Sequence, residues 1–243
     1  MMADQYAMLA GQSAIVTGAS SGIGSAITQA LLAAGVRVAL IGRDEARLRP
    51  VTNGADADSC MAIECDVRDD DAVRRMTTQV EQAWGAVDIL VNSAGLFSVA
   101  SLPETTNAMW EELWQTNVNG TIFPTRAVLP GMLERGRGAI VIISSVAAHR
   151  GFANTTAYSA TKYAVTGFAR ALTTEVRRKG VRVVNVMAGP VDTPIWDGME
   201  TPLERDEMLK PEEVALAVMG AITISDTQVI EDVLLLPQKG LYF

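Results

Sequence analysis

The chain has 243 residues, 49% of them hydrophobic and 20% charged, with a formal net charge of −8. That composition excludes a disordered chain, and the acidic balance argues against a nucleic-acid binder, which needs a basic face to neutralise phosphates. Two cysteines and a single histidine leave no reasonable zinc set, and no run approaches the roughly 18 consecutive apolar residues of a membrane span.

The residues before Gly11 include Asp4 and show no basic region or long apolar stretch, so neither export nor membrane insertion is expected. The low cysteine count suits a reducing cytosol, and Cys60 and Cys65, flanking Met61-Ala62-Ile63, read as buried free thiols. Ser13-Ala14-Ile15-Val16-Thr17 is a short apolar run ending at a glycine-rich turn. Residues 25–32 then carry apolar groups at helical spacing, with Gly35 as the stop. A second strand at 36–41 completes a βαβ unit of normal size.

The alternation continues with a strand at 60–65, a helix at 69–84, a strand at 87–92 and a long helix at 107–133. Strands at 139–144 and 181–186 flank a helix carrying Tyr158 and Lys162. A helix opens at Pro211 with Glu212 and Glu213 in its first turn, and a last strand lies at 229–236. Continuous apolar strands between helices predict a doubly wound, mostly parallel seven-stranded α/β sheet. With no linker, repeat or low-complexity tract, a single domain over 1–243 is expected, its ligand beyond the carboxyl ends of the strands.

Two segments point to chemistry. Tyr158 and Lys162 are four residues apart in helical sequence and share one face, where an ammonium favours the phenolate and draws the phenol towards acid/base work. Thr17-Gly18-x-x-x-Gly22-x-Gly24 follows a strand and opens a helix, where glycines let backbone amides approach a pyrophosphate.

In these motifs, and over nearly its whole length, the chain resembles the single-domain short-chain dehydrogenase/reductase family. Gly18 to Gly24 is similar to its T-G-x-x-x-G-x-G turn, and Asp66-Val67 to its adenine-contacting Asp-Val. Asn92-Ser93-Ala94-Gly95 resembles N-N-A-G, with Ser93 for the second asparagine. Asn117-Val118-Asn119-Gly120 resembles N-V-x-G, and Ser145 stands 13 residues before Tyr158, the family's usual separation. Ala188-Gly189-Pro190-Val191-Asp192-Thr193 resembles the segment that meets the nicotinamide, with Ala188 where proline is commoner.

The resemblance implies an NADP-dependent oxidoreductase moving a hydride between NADP(H) and a carbonyl or secondary alcohol. Tyr158 would exchange the proton, and Lys162 would lower its pKa and bind the cofactor ribose. Ser145 would hold the carbonyl oxygen, and Asn117 a water linking Lys162 to solvent. The bland alternatives are a helix-interior amide for Asn117 and a turn-capping hydroxyl for Ser145. Cofactor contacts are implied for Gly18, Ser20, Ser21, Gly22, Ile23, Gly24, Arg43, Asp66, Val67, Asn92, Ala94, Gly95, Tyr158, Lys162, Pro190, Val191 and Thr193.

Gly42 stands where a carboxylate would bind the ribose 2′-hydroxyl of NAD, and Arg43 follows; a guanidinium suits a 2′-phosphate and favours NADP. The alternative is that Asp44 takes the ribose of NAD. Apolar segments at Leu96-Phe97, 146–149 and Pro194-Ile195-Trp196 point to a small-molecule ketone or aldehyde with a hydrophobic body, and 194–210 resembles the substrate lid. His149 reads as a solvated or capping residue rather than a substrate contact. Arg177-Arg178-Lys179 reads as a helix-end cap rather than a carrier-protein dock.

The family is commonly tetrameric, so a homo-oligomer is expected, tetramer or dimer. Tyr163, Val165, Phe168 and Leu172 offer apolar surface for it, and the tail 234–243 is expected to pack on a neighbouring subunit. Two other functions share the fold: a non-catalytic dinucleotide-binding sensor or scaffold, and an epimerase or dehydratase, for whose usual extra substrate domain this chain has little room.

Overall fold

The structure is a computed structural model that describes residues 6–52, 54–56, 58–199, 204–225 and 227–239. Seven parallel strands form one sheet in the order β3-β2-β1-β4-β5-β6-β7. They are β1 (Ser13–Thr17), β2 (Arg37–Gly42), β3 (Cys60–Glu64), β4 (Ile89–Asn92), β5 (Gly138–Ile143), β6 (Val181–Ala188) and β7 (Asp232–Leu235). The order reverses between β1 and β4, which opens a crevice at the carboxyl ends of these strands.

Successive strand residues point to opposite faces, so each strand feeds two cores. On one face Val16, Leu40, Val91, Val141 and Val186 pack with α1 (Gly22–Ala33), Leu48 of α2 (Glu45–Thr52) and α7 (Pro211–Ile222). On the other, Ile15, Ile41, Leu90, Ile140 and Val183 pack with α3 (Asp70–Trp84), α5 (Gly120–Arg135) and α6 (Thr156–Val176). Asp69 caps α3 by accepting from the Ala72 amide at 3.0 Å, and Gly85 ends it at φ 82°. No described helix is long and apolar enough to cross a membrane.

The structure departs from the sequence expectations in three places. An additional helix, α2, lies between β2 and β3. The long helix expected at 107–133 is α4 (Asn107–Leu113), a π-helical turn (Trp114–Asn119) and α5. Inside that turn the Gly120 amide donates to the Gln115 carbonyl, and the Asn117 carbonyl accepts the Thr121 hydroxyl at 2.8 Å. Pro124 has no N–H for the preceding turn, and a Cβ on Gly120 would lie 2.7 Å from Val67 Cγ2, so the chain widens where these constraints meet. Lastly, Val165 and Leu172 are buried and Phe168 packs against the core, so of the four apolar groups expected on that helix only Tyr163 remains open, along with Leu234 of the tail. Of the tail, 240–243 lies outside the described residues.

Candidate active site

Four chain segments leave the carboxyl ends of β1, β4, β5 and β6 and converge on the crevice. After β1, Gly18 turns at φ 65°, and a Cβ there would lie 2.8 Å from the Ala94 backbone. Thr17 Oγ1 accepts the amides of Ser93 and Ala94, both at 3.1 Å, and so fixes the loop after β4 against this turn. Gly24 packs directly on the Gly18 carbonyl and leaves no room for a side chain. The turn delivers the N-terminus of α1 to the crevice, and the Ser21 side chain makes no cap bond to its amides.

The resulting cleft, about 350 Å³, is lined by Gly18, Ser20 to Gly24, Asp66, Val67, Ala94, Gly95 and Thr193, all expected from the sequence. Arg43, Asp44, Arg47 and Arg68 form its rim. Asp44 Oδ1 accepts the Ala46 amide at 2.9 Å, so this carboxylate caps α2. Arg68 forks onto Asp66 at 2.6 and 3.0 Å and holds that carboxyl below its ordinary range. Arg47 and Arg68 were not singled out in the sequence. Arg43 precedes α2 and Arg47 lies in its first turn, and that both line the cleft appears only once α2 is recognised.

Five expected cofactor residues, Asn92, Tyr158, Lys162, Pro190 and Val191, lie outside the lining of this cleft. Asn92 is buried at the end of β4 and its Nδ2 donates to Thr125 Oγ1 at 3.0 Å, away from the cleft. Pro190 and Val191 line a second cavity, about 240 Å³, which adjoins the first at Ile23, Thr193 and Ile195. Ser145 and Tyr158 open into this second cavity. His149 is exposed and outside it, at the end of the short turn Val146–Ala148.

Lys162 is 7% exposed, and its Nζ donates to the Ile143 carbonyl at 3.1 Å. A Cβ on Gly95 would stand 3.7 Å from that Nζ and 3.4 Å from Asn117 Oδ1, so Gly95 lets these groups approach the cleft. Asn117 Oδ1 accepts the Leu96 amide at 2.7 Å, while its Nδ2 donates to the Leu96 carbonyl and to Thr161 Oγ1, each at 3.0 Å. Thr161 in turn donates to the Tyr158 carbonyl at 2.7 Å, which ties the π-helical turn to α6. Ser145 Oγ accepts the Ala147 amide at 3.1 Å, so it caps the turn and also lines the cavity.

Burial dominates the electrostatics. The Tyr158 phenol is pushed up to about 12, with the Ser145 hydroxyl pulling the other way. This is opposite to what the tyrosine–lysine spacing predicts, because Nζ faces the Ile143 carbonyl and sits 5.7 Å from the phenol ring centre. Burial lowers the Lys162 ammonium to about 8 from an ordinary 10.5. Between those values the folded protein binds fewer protons than the unfolded chain, so stability rises with pH across that window. Relative to Lys162→Met, wild-type stability is expected to rise by up to about 1.4 kcal/mol per pH unit there. Urea midpoints for both proteins over that range check this; a difference that does not change with pH would contradict a desolvated Nζ.

A nicotinamide dinucleotide fits these residues. The α1 amides without a side-chain cap suit a pyrophosphate, and Thr116 contributes to the cleft a buried hydroxyl that has no partner. The arginine rim suits an anion at the far end.

A family model described as short chain dehydrogenase matches residues 12–203. An uncharacterized oxidoreductase of Staphylococcus saprophyticus subsp. saprophyticus is 36% identical over 212 residues, covering 86% of this chain and 90% of the relative. A metagenomic short-chain oxidoreductase solved in complex with NADP is 33% identical, with a TM-score of 0.82 over 95% of this chain and 98% of that one. An alcohol dehydrogenase from the archaeon Thermococcus sibiricus, solved with 5-hydroxy-NADP, is 26% identical, with a TM-score of 0.87 over 96% and 99%.

Proposed function

The chain belongs to the short-chain dehydrogenase family, and from that premise we propose that it reduces a carbonyl compound to an alcohol with NADPH, reversibly, using Tyr158 as the proton donor. The observation that carries this reading is the junction of the two cavities: a phenol and a hydroxyl face an apolar chamber that opens onto a glycine-walled cleft. When bound, NADPH supplies a hydride to the carbonyl carbon. Ser145 donates a hydrogen bond to the carbonyl oxygen and fixes its position. Tyr158, protonated across the neutral range, hands its proton to that oxygen as negative charge develops there. Lys162 Nζ, on the Ile143 carbonyl 5.7 Å from the phenol ring centre, would ease the loss of that proton only by turning towards the phenolate as it forms.

Asn117 acts through position: its three hydrogen bonds hold the Leu96 backbone and Thr161, and with them the loop and helix on either side of Lys162. Gly18, Ser20 to Gly24, Asp66, Val67, Ala94, Gly95 and Thr193 would hold the cofactor, with Arg43 and Arg47 on a 2′-phosphate. Preference for NADP over NAD is supported by that rim, by the capping role of Asp44 and by the NADP ligands of the solved relatives. Loss of NADPH absorbance in the presence of small neutral ketones and aldehydes tests the proposal. Binding of NADPH without turnover of any of them would favour a sensor instead.

A further inference from the structure

The cavity beside Tyr158 constrains the body of the substrate. Its lining includes no Asp, Glu, Lys, Arg or His among the described residues. Of the polar side chains there, Ser144 is engaged with Thr166 at 2.8 Å and Thr155 with the Phe152 carbonyl at 2.9 Å. Ser145, Tyr158 and Thr193 remain, and of these Ser145 and Tyr158 are placed to meet a carbonyl oxygen, while Thr193 stands at the junction with the first cavity. Around them stands an aromatic wall. Phe97 lies edge-on to Tyr158, with ring centres 4.7 Å apart at 80°, and 5.1 Å from the Trp196 ring. The indole is itself pinned, because Trp196 Nε1 donates to the Val191 carbonyl at 3.0 Å.

We propose that this site takes an uncharged ketone or aldehyde bearing an aryl group, with Phe97 as the specificity-determining residue. The inference rests on the reductase reading above. An apolar cavity of about 150 Å³ accepts a benzene ring, so the roughly 240 Å³ here holds one ring, the carbonyl and a small second substituent. With its carbonyl on Ser145 and Tyr158, such a molecule lays its ring on Phe97 and Trp196 in the offset or edge-on contacts that aromatic groups prefer. A carboxylate in the same place would lose its water and gain no cation.

Three α-keto compounds separate charge from ring: ethyl phenylglyoxylate, phenylglyoxylate itself and ethyl pyruvate. With NADPH, kcat/KM is expected to be about 100-fold higher for the phenyl ester than for the phenyl acid. It should exceed that for ethyl pyruvate, whose ketone carries a methyl group in place of the ring, by about 10-fold. In Phe97→Ala the phenyl-to-methyl ratio should fall towards one while the ester-to-acid ratio holds. Ratios taken on one preparation do not depend on how much of it is folded, and Phe97→Leu, which keeps the bulk without the ring, serves if the alanine variant is inactive.

Equal use of acid and ester, or a phenyl-to-methyl ratio insensitive to both Phe97 variants, would overturn the substrate class while hydride transfer stands. NADPH oxidation with none of the three would overturn the reductase reading and this inference with it. A readout independent of turnover is tryptophan quenching by ethyl mandelate, expected in wild type and lost in Trp196→Phe; quenching unchanged in that variant would contradict the aromatic wall.

Discussion

Tyr158→Phe is expected to lower kcat/KM for NADPH-dependent carbonyl reduction by about 1,000-fold and to leave NADPH affinity within about twofold. The substitution removes one oxygen and keeps the ring that packs edge-on against Phe97. Ser145 remains and still donates a hydrogen bond to the carbonyl oxygen, but an aliphatic hydroxyl is too weak an acid to give up its proton at neutral pH. The phenol's high pKa in the folded protein keeps it loaded with a proton before the hydride arrives. Folding should be unimpaired, because the ring's packing is retained. Activity within about tenfold of wild type would show that the proton comes from elsewhere.

The double substitution Arg43→Ala, Arg47→Ala is expected to weaken NADPH binding about 100-fold and NADH binding by less than about threefold. Both residues are exposed on the rim of the cleft, Arg43 just before α2 and Arg47 in its first turn, and could grip a phosphate together. Arg68 is less free to help, since it forks onto Asp66. Because the rim is exposed, the NADPH advantage of wild type should shrink as salt is raised. Fluorescence titration with both dinucleotides, at low and high salt, measures this. Equal weakening of NADPH and NADH would show that these arginines do not read the 2′-phosphate.

The strands were legible in the sequence because they are apolar without a break, as a sheet covered on both faces demands. The ends moved by up to three residues where pairing decides: β7 begins at Asp232 rather than 229, and β6 continues to Ala188 because β7 pairs with it there through Leu235. Helix α2 was not legible, since only Leu48 and Val51 are buried and Pro50 interrupts it, leaving no periodic stripe. Nor was the π-helical turn, because one extra residue in a turn leaves the apolar pattern of a helix nearly unchanged.

The residues meeting at the candidate site were visible as motifs, but their orientation was not. Asn92 belongs to a matching segment, yet its place at the end of β4 sends its side chain to Thr125. Thr161 and Thr116 carry no motif at all, and their value lies in contacts across the fold: Thr161 bridges Asn117 and the Tyr158 carbonyl. The polar chain from Ser144 through Thr166 and Asn185 to Asp232, which braces α6 against β5, β6 and β7, was equally hidden in the sequence.

Deuterium transfer from cofactor to product separates hydride reduction through Tyr158 from any other route. NADPH carrying deuterium at both C4 positions of the nicotinamide is incubated with ethyl phenylglyoxylate, and the alcohol is analysed for label at the former carbonyl carbon. One deuterium at that carbon with wild type, and at least about 100-fold slower labelling with Tyr158→Phe, is the predicted result. An unlabelled alcohol, or labelling at the same rate in both proteins, would contradict it.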